Sequence, residues 1–97
     1  MQKLIIRWTI PALNDFMVYV NYYRFEAGLS VSTRFADEVK QALDLLSEMP
    51  NISRPGRKIS TREYIVKDFP FIIEFRVRVN KLEILAFLHQ SRITNLG

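Results

Sequence analysis

Apolar residues in the first half of the chain recur at helical spacing. The segment KLIIRW, residues 3 to 8, is a short run of large apolar residues and predicts a strand. Thr9 is a typical capping residue and Pro11 is tolerated only in the first turn of a helix, so a first helix is expected to begin near Thr9. Its apolar positions, three or four residues apart, are Leu13, Phe16, Val20, Tyr23 and Ala27. Gly28 then stands where a helix C-terminal cap is expected.

A second amphipathic helix is expected to open near Ser30 or Ser32 and to end before Pro50. Its apolar stripe consists of Phe35, Val39, Ala42, Leu43, Leu46 and Met49. Because only a few residues separate the two helices, the pattern predicts a helical hairpin.

Beyond residue 61 the apolar period changes from that of a helix to that of a strand. Residues 50 to 61 form the only long loop, and the segments 62–68, 71–79 and 82–89 predict three strands. Turns are expected at Asp68-Phe69-Pro70 and at Asn80-Lys81. The order is β-α-α-β-β-β. This order predicts an α+β fold, with the N-terminal helical hairpin packed on one face of a small, twisted, mainly antiparallel sheet.

A two-residue turn at Asn80-Lys81 would fix the register of the last two strands. One face would then be wholly apolar and would meet the helices, with the pairs Val79–Leu82, Val77–Ile84, Phe75–Ala86 and Ile73–Leu88. On the opposite face His89 would lie across from Ile72. It would share that face with Glu74, Arg76 and Phe87.

Length and composition indicate one domain spanning residues 1–97. The chain has no cysteine, which excludes a disulfide framework, a thiolate nucleophile and a cysteine zinc site. No apolar run approaches the roughly 20 residues of a membrane span, and the first residues lack the order of a signal peptide. We therefore expect a soluble cytoplasmic protein without membrane contacts.

Positive charge is concentrated in the second half of the chain. Residues 54 to 97 hold 9 Lys and Arg against 4 Asp and Glu, whereas residues 1 to 53 hold 5 against 6. Such a surface attracts nucleic acid or an acidic protein partner. Within it, the loop residues Arg54, Arg57, Lys58 and Arg62 are either a binding patch or an ordinary solvated loop.

His89 is the only histidine and is suited to proton transfer. Beside arginines that hold a phosphate, it would suit RNA cleavage through attack of the ribose 2′-hydroxyl. The simpler interpretation is that His89 ends a strand and that nearby charged residues form cross-strand ion pairs on a solvated sheet face. These charged residues are Glu74, Arg76, Arg78 and Glu83. One histidine without a spacing motif favours the simpler interpretation.

Other chemistry has little support in the sequence. There is no glycine-rich phosphate loop, no metal-ligand spacing and no serine or cysteine nucleophile motif, so no cofactor or metal is expected. The tyrosines of the first helix, Tyr19, Tyr22 and Tyr23, are more typical of helix packing than of a partner surface.

Three stretches resemble the RelE/ParE superfamily of bacterial toxin-antitoxin toxins, and especially its ParE-like, plasmid-stabilisation branch. They are WTIPALNDF, RPGRKISTREY and FPFIIEFRVRVNKLEILAFLHQSR, which together span nearly the whole chain. The most specific parts are Gly56-Arg57 followed by Thr61-Arg62-Glu63, residues 70–73 leading into Phe75-Arg76-Val77, and Leu88-His89 followed by Arg92. The family's fold, a helical hairpin on an antiparallel sheet, agrees with the order above.

The resemblance implies a growth-inhibiting toxin that is neutralised by a small antitoxin encoded beside it. Extended or helical antitoxin segments wrap such toxins, and acidic and apolar antitoxin residues would complement the basic second half. The complex typically represses its own operon, with operator DNA contacts made mainly by the antitoxin. The resemblance implies no cofactor.

The superfamily divides by target. RelE-like members cut mRNA on the ribosome with basic residues and a tyrosine or histidine near the C-terminus, whereas ParE-like members poison DNA gyrase and are not known as nucleases. The slot that the nuclease branch commonly fills with arginine is Ile72 here, and the final HQSRITNLG contains no tyrosine. The resemblance therefore favours a non-catalytic gyrase poison over a ribosome-dependent mRNA endoribonuclease. A degenerate toxin that only binds its antitoxin is a third alternative.

Two sets of candidate site residues follow from this comparison. For a ribonuclease the set is His89, Arg76, Arg62 and Arg57. For target or partner binding it is Arg54, Arg57, Lys58, Arg62, Arg76, Phe87, His89 and Arg92. Arginines at 57, 62 and 76 also match positions that the ParE-like branch usually fills with arginine, so they do not separate the two targets.

Overall fold

The computed structural model describes residues 3–90. Its elements are β1 (Ile5–Trp8), α1 (Ile10–Ala27), α2 (Leu29–Glu48), a short 3-10 helix (Pro50–Ile52), β2 (Arg54–Pro55), β3 (Arg62–Ile65), β4 (Phe71–Arg78) and β5 (Lys81–His89). The predicted α+β class and the order of the long elements are confirmed. The addition is β2, a two-residue strand inside the segment predicted as a loop.

The two helices are joined by a single residue. Thr9 caps α1, since its Oγ1 accepts a hydrogen bond from the Ala12 backbone N–H at 3.4 Å. Gly28 separates the helices with φ +97°, a conformation that an L side chain rarely adopts. α2 therefore begins at Leu29, slightly before the predicted start at Ser30 or Ser32.

The five strands form one sheet in the order β1-β5-β4-β3-β2. β1 runs parallel to β5, and all other neighbours are antiparallel. A parallel pair requires a long crossover between its strands. Here the chain between β1 and β5 includes the helical hairpin, which packs on one face of the sheet; we call the other face the outer face.

The core between the helices and the sheet is aromatic. Phe35 of α2 is fully buried, and its ring centroid lies 5.1–5.9 Å from the centroids of Phe16, Tyr23, Phe69 and Phe71. Such ring pairs contribute about 0.5–1.5 kcal/mol each beyond the burial of their area. The predicted stripe of α2 is confirmed by the burial of Phe35, Val39, Ala42, Leu43 and Leu46. Three predicted stripe residues are instead exposed: Leu13, Ala27 and Met49.

The hairpin between β4 and β5 turns one residue earlier than predicted. Arg78 pairs with Lys81, so the turn is Val79-Asn80 and not Asn80-Lys81. Val79 has φ 55° and is almost fully exposed, not packed under the helices. Primed hairpin turns require a positive φ at the first central residue, which accounts for this unusual conformation of a β-branched side chain.

A β-bulge then changes the register of β5. Phe75 pairs with Ile84 but Glu74 pairs with Ala86, so Leu85 is an extra residue on this strand. An inserted residue exchanges the two faces for every side chain beyond it.

Because of the bulge, the end of β5 faces the helices. Phe87 lies opposite Ile73 and His89 lies opposite Phe71, whose side chains belong to the core layer. The prediction that His89 and Phe87 share the outer face with Arg76 is therefore wrong. Strict two-residue alternation from the turn does not anticipate an unpaired residue in mid-strand.

A side chain from α1 fixes the bulge. The Phe87 backbone N–H donates to Asp15 Oδ2 at 3.2 Å. β1 pairs with β5 only as far as Ile84, so no strand satisfies this N–H on that side. The Phe87 ring is buried between Trp8 and Phe16, with centroid distances of 5.7 and 5.8 Å.

Candidate functional site

His89 lies in an aromatic groove between α1 and the sheet. The groove has a volume of about 280 Å³, and its lining comprises Val18, Tyr19, Tyr22, Tyr23, Phe71 and His89. The His89 ring meets the edge of the Phe71 ring at a centroid distance of 5.1 Å. Burial raises the pKa of the Tyr23 hydroxyl, and the neighbouring Tyr22 adds to the effect. Tyr23 is partly buried against the core, whereas Tyr22 is exposed to solvent.

Arg76 lies far from this groove, on the outer face. It is five residues along β4 from the partner of His89, which corresponds to about 17 Å along the strand. Its Nε donates to Glu83 Oε1 at 2.7 Å. RNA cleavage needs a proton-transfer group and phosphate-holding groups around one reacting centre. The fold places His89 and Arg76 on opposite faces and does not bring them together.

The other predicted arginines stabilise the loop of residues 50–61, which we call the basic loop. Arg62 donates from Nε to Ser53 Oγ at 2.7 Å and from Nη2 to the Ser53 carbonyl at 2.5 Å. Arg54 Nε donates to Glu63 Oε1 at 3.3 Å, and the backbone N–H of Arg57 donates to Glu63 Oε2 at 3.3 Å. Arg54 and Arg62, together with the Arg57 backbone, therefore anchor β2 and the loop to β3.

The remaining predicted binding residues have different environments. Lys58 is exposed at the tip of the basic loop, where its carbonyl accepts a hydrogen bond from the Thr61 hydroxyl at 2.7 Å. Phe87 is a core residue, so its ring offers no contact surface. Arg92 lies outside the described residues.

Three glutamates on the outer face are buried, although the sequence predicted a solvated face. They are Glu63, Glu74 and Glu83. Buried carboxylates generally require a charged or hydrogen-bonding partner. Glu63 has Arg54, and Glu83 has two arginines from different strands. One of these partners, Arg7, is 76 residues away in sequence, so local spacing could not reveal the pair.

Glu83 joins three neighbouring strands. Arg7 of β1 and Arg76 of β4 donate to its two carboxylate oxygens from either side. The hydrogen bond from Arg76 is the main cause that lowers the pKa of Glu83; burial opposes it, and Arg7 lowers it further. The carboxylate is therefore ionised at neutral pH and fixes both guanidinium groups on the outer face.

α1 carries a second apolar stripe on the side that faces solvent. Its exposed members recur at helical spacing and are Ile10, Leu13, Met17, Val18, Tyr22 and Phe25; we call them the α1 apolar surface. Val18 and Tyr22 also line the groove of His89, so the two features are continuous. Exposed apolar patches of more than a few hundred Å² generally mark binding sites.

Comparison with known proteins assigns the family. Residues 6–94 match the profile of the ParE toxin of type II toxin-antitoxin systems, parDE. The chain belongs to the ParE toxin family. Among curated proteins, this ParE-family toxin is 35% identical over 89 residues to the candidate toxin Y4kP of Sinorhizobium fredii, a match that covers 92% of this chain and 91% of that protein.

A solved structure supports the fold of this ParE-family toxin independently. This toxin is similar to a chain in the solved structure of the chromosomal ParDE toxin-antitoxin system from P. aeruginosa, with a TM-score of 0.80. The two chains are 20% identical, and the match covers 90% of this chain and 96% of the other. At this identity the likeness establishes the helical hairpin on a sheet, while the family profile establishes the toxin assignment.

The described part of the ParE-family toxin, residues 3–90, offers neither a helix that could span a membrane nor a cluster of metal ligands. Neither helix in that range combines the length and the apolar character needed to cross a bilayer. The same range contains no group of three or more histidine, cysteine, aspartate or glutamate side chains placed to hold a metal ion.

Proposed function

We propose that this ParE-family toxin arrests growth by binding DNA gyrase and stabilising its cleavage complex with DNA, not by cutting mRNA. The observation that carries the proposal is the separation of His89 from Arg76 on opposite faces of the sheet. Arg76 is also held on the outer face by its ion pair with the buried Glu83, so it cannot hold a phosphate beside the His89 ring. A gyrase poison acts by binding and needs no shared reacting centre.

The position after Phe71 gives additional support to the proposal that the toxin does not cleave mRNA. In the nuclease branch an arginine is commonly found there, whereas Ile72 of this chain is almost fully buried. An apolar side chain at this position cannot stabilise the negative charge that develops in phosphodiester cleavage.

A gyrase cleavage assay tests this proposal. Purified toxin, gyrase and supercoiled plasmid should accumulate cleaved plasmid, and His89→Ala should leave that activity unchanged. Unimpaired supercoiling without cleaved DNA at high toxin concentration would overturn the proposal. Primer extension on cellular mRNA after induction provides the opposing measurement, because codon-specific cuts that disappear in His89→Ala would favour the endoribonuclease. Growth that continues on expression without the neighbouring gene would indicate a degenerate toxin.

We also propose that a cognate antitoxin neutralises the toxin in the cytoplasm by covering the α1 apolar surface. Phe25 is 83% exposed there, although burial of a phenylalanine side chain is favourable by about 1.5–3 kcal/mol. A folding-on-binding antitoxin segment can bury several such side chains at once. Operator DNA would be contacted through the antitoxin.

The antitoxin surface can be tested with a matched pair of variants. Phe25→Ala should weaken antitoxin binding about tenfold to a hundredfold, since the interface loses the burial of one phenylalanine ring. Ile59→Ala is the control, because Ile59 is 96% exposed but lies in the basic loop. Titration calorimetry with the product of the neighbouring gene gives both affinities. Equal losses in the two variants, or none in Phe25→Ala, would contradict this assignment.

A further inference from the structure

A compact cluster of positive charge occupies the outer face near the β4–β5 turn. Arg7, Glu83 and Arg76 form one row across β1, β5 and β4. Lys81 and Arg78 form the next row, two residues nearer the turn. Residues two apart on a strand share a face, so all five side chains belong to the outer face. We call Arg7, Arg76, Arg78 and Lys81 the outer-face cations.

The cluster carries four positive charges and one buried negative charge. Glu83 holds Arg7 and Arg76 by hydrogen bonds, so these two guanidinium groups have lost much of their rotamer freedom before any ligand arrives. The Arg7 side chain is nevertheless 58% exposed. A guanidinium has five N–H donors, and the bonds to Glu83 use one from each arginine, so donors remain for a ligand.

The geometry of this cluster suits phosphate groups. Neighbouring strands lie about 5 Å apart and the two rows about 7 Å apart, which gives a nearly flat array of cations. Protein–protein contacts centre on buried apolar and aromatic side chains. Beside these rows the exposed apolar side chains are Ile5 and, in the adjoining turn, Val79, and neither is aromatic; the α1 apolar surface lies in the helical layer on the other side of the sheet.

We propose that the outer-face cations bind the phosphate backbone of duplex DNA, independently of its sequence. The array offers arginine and lysine donors for phosphates but no helix that could read base edges in the major groove. This inference deepens the proposed function, on which it rests, because gyrase holds a DNA segment at the place where the toxin would act. The toxin would thus contact both components of the cleavage complex.

Salt-dependent DNA binding by the purified toxin alone tests the inference. Each neutralised phosphate adds about −0.9 to the slope of log affinity against log salt concentration for B-DNA, so four contacts give a slope of about −3.6. Fluorescence anisotropy with a short labelled duplex at several salt concentrations measures both affinity and slope. Lys81→Ala and Arg7→Ala should each weaken binding and reduce the magnitude of the slope by about 0.9.

Lys40→Ala is the matched control, because Lys40 is exposed on α2 in the helical layer. Its affinity and slope should equal those of the wild type. Lys81 is exposed at the end of the hairpin, so Lys81→Ala should remain folded even if loss of Arg7 disturbs the ion pairs; circular dichroism checks this.

Several results would overturn the inference. They are an absence of DNA binding by the folded wild type, an unchanged slope in Lys81→Ala, and an equal reduction in Lys40→Ala. Tighter binding of a polyglutamate peptide than of duplex DNA of equal charge would instead identify a surface for an acidic protein. The assay contains no gyrase, so a negative gyrase result with intact DNA binding would reject only the proposed function.

Discussion

Replacing Gly56 with alanine tests how tightly the basic loop is closed. A Cβ at this position would lie 2.2 Å from Thr61 Oγ1 and 3.1 Å from the Thr61 carbonyl carbon. The first distance is far below any normal contact, and the hydroxyl cannot simply rotate away because it donates to the Lys58 carbonyl at 2.7 Å. The Gly56 N–H also donates to the Thr61 carbonyl at 2.8 Å, which holds the two segments together.

The expected loss of unfolding free energy in Gly56→Ala follows from the hydrogen bonds that must break. Relief of the clash separates Gly56 from Thr61 and breaks these two neutral hydrogen bonds, each with a net value of about 0.5–1.5 kcal/mol. We therefore expect Gly56→Ala to lower the free energy of unfolding by about 2 kcal/mol. With a urea slope of about 2 kcal/mol per M, the midpoint should fall by about 1 M.

A double-mutant cycle identifies the cause. Thr61→Ala removes the oxygen at 2.2 Å, so Gly56→Ala should be less destabilising in that background by about 1 kcal/mol. Gly28→Ala is the control, since its Cβ would contact nothing within 4 Å and any destabilisation comes from the backbone at φ +97°. The destabilisation by Gly28→Ala should be the same in the wild-type background and in the Thr61→Ala background. An unchanged midpoint in Gly56→Ala, or an equal loss in both backgrounds, would refute the reasoning.

Three further outcomes are expected from the described contacts. The arginine partners lower the pKa of Glu83, so the ion pairs stabilise the fold at pH values above the ordinary carboxyl range, and this stability is lost as the pH falls through the lowered pKa. The difference in unfolding free energy between wild type and Glu83→Gln should therefore shrink on acidification. A difference that does not depend on pH would contradict this. Phe35→Ala should lower the free energy of unfolding by about 3–5 kcal/mol because the ring is fully buried, whereas Phe25→Ala should change it by less than about 0.5 kcal/mol, as urea denaturation can measure. Asp15→Ala should destabilise the fold by about 1–3 kcal/mol and speed hydrogen exchange at the Phe87 amide, because that buried donor loses its acceptor; Asp15→Asn retains an acceptor oxygen and should recover most of the loss.

The helical half of the fold was predictable because its signals are local. Thr9, Gly28 and Pro50 mark the helix boundaries by capping and by backbone restriction, and they do so without reference to the rest of the chain. The apolar spacing of α2 located its buried face. The spacing of α1 was less informative, because this helix is apolar on its solvent side too and a single stripe could not be separated from the α1 apolar surface.

The outer parts of the candidate site were less predictable because they depend on register and on distant strands. The extra residue Leu85 changed the face of His89, and no sequence signal separates it from its apolar neighbours. The buried state of Glu83 depends on Arg7, which reaches it only after β1 and β5 become neighbours. The interpretation of Arg76 and Glu83 as members of cross-strand ion pairs is confirmed for this pair, whereas the alternative that places Arg76 beside His89 is wrong.

The parallel pairing of β1 with β5 has a consequence for synthesis of the toxin. Within residues 3–90, β1 has no strand neighbour other than β5, and the Thr9 N–H and hydroxyl both donate to the carbonyl of Ile84. β1 leaves the ribosome early and must therefore wait for β5 before it can pair with a strand. A nascent chain that terminates before Lys81 lacks this partner and cannot form the β4–β5 hairpin, which carries three of the four outer-face cations. Prematurely ended translation products should consequently be unable to assemble the toxin fold, and the cell is exposed to it only when the reading frame has been translated through β5.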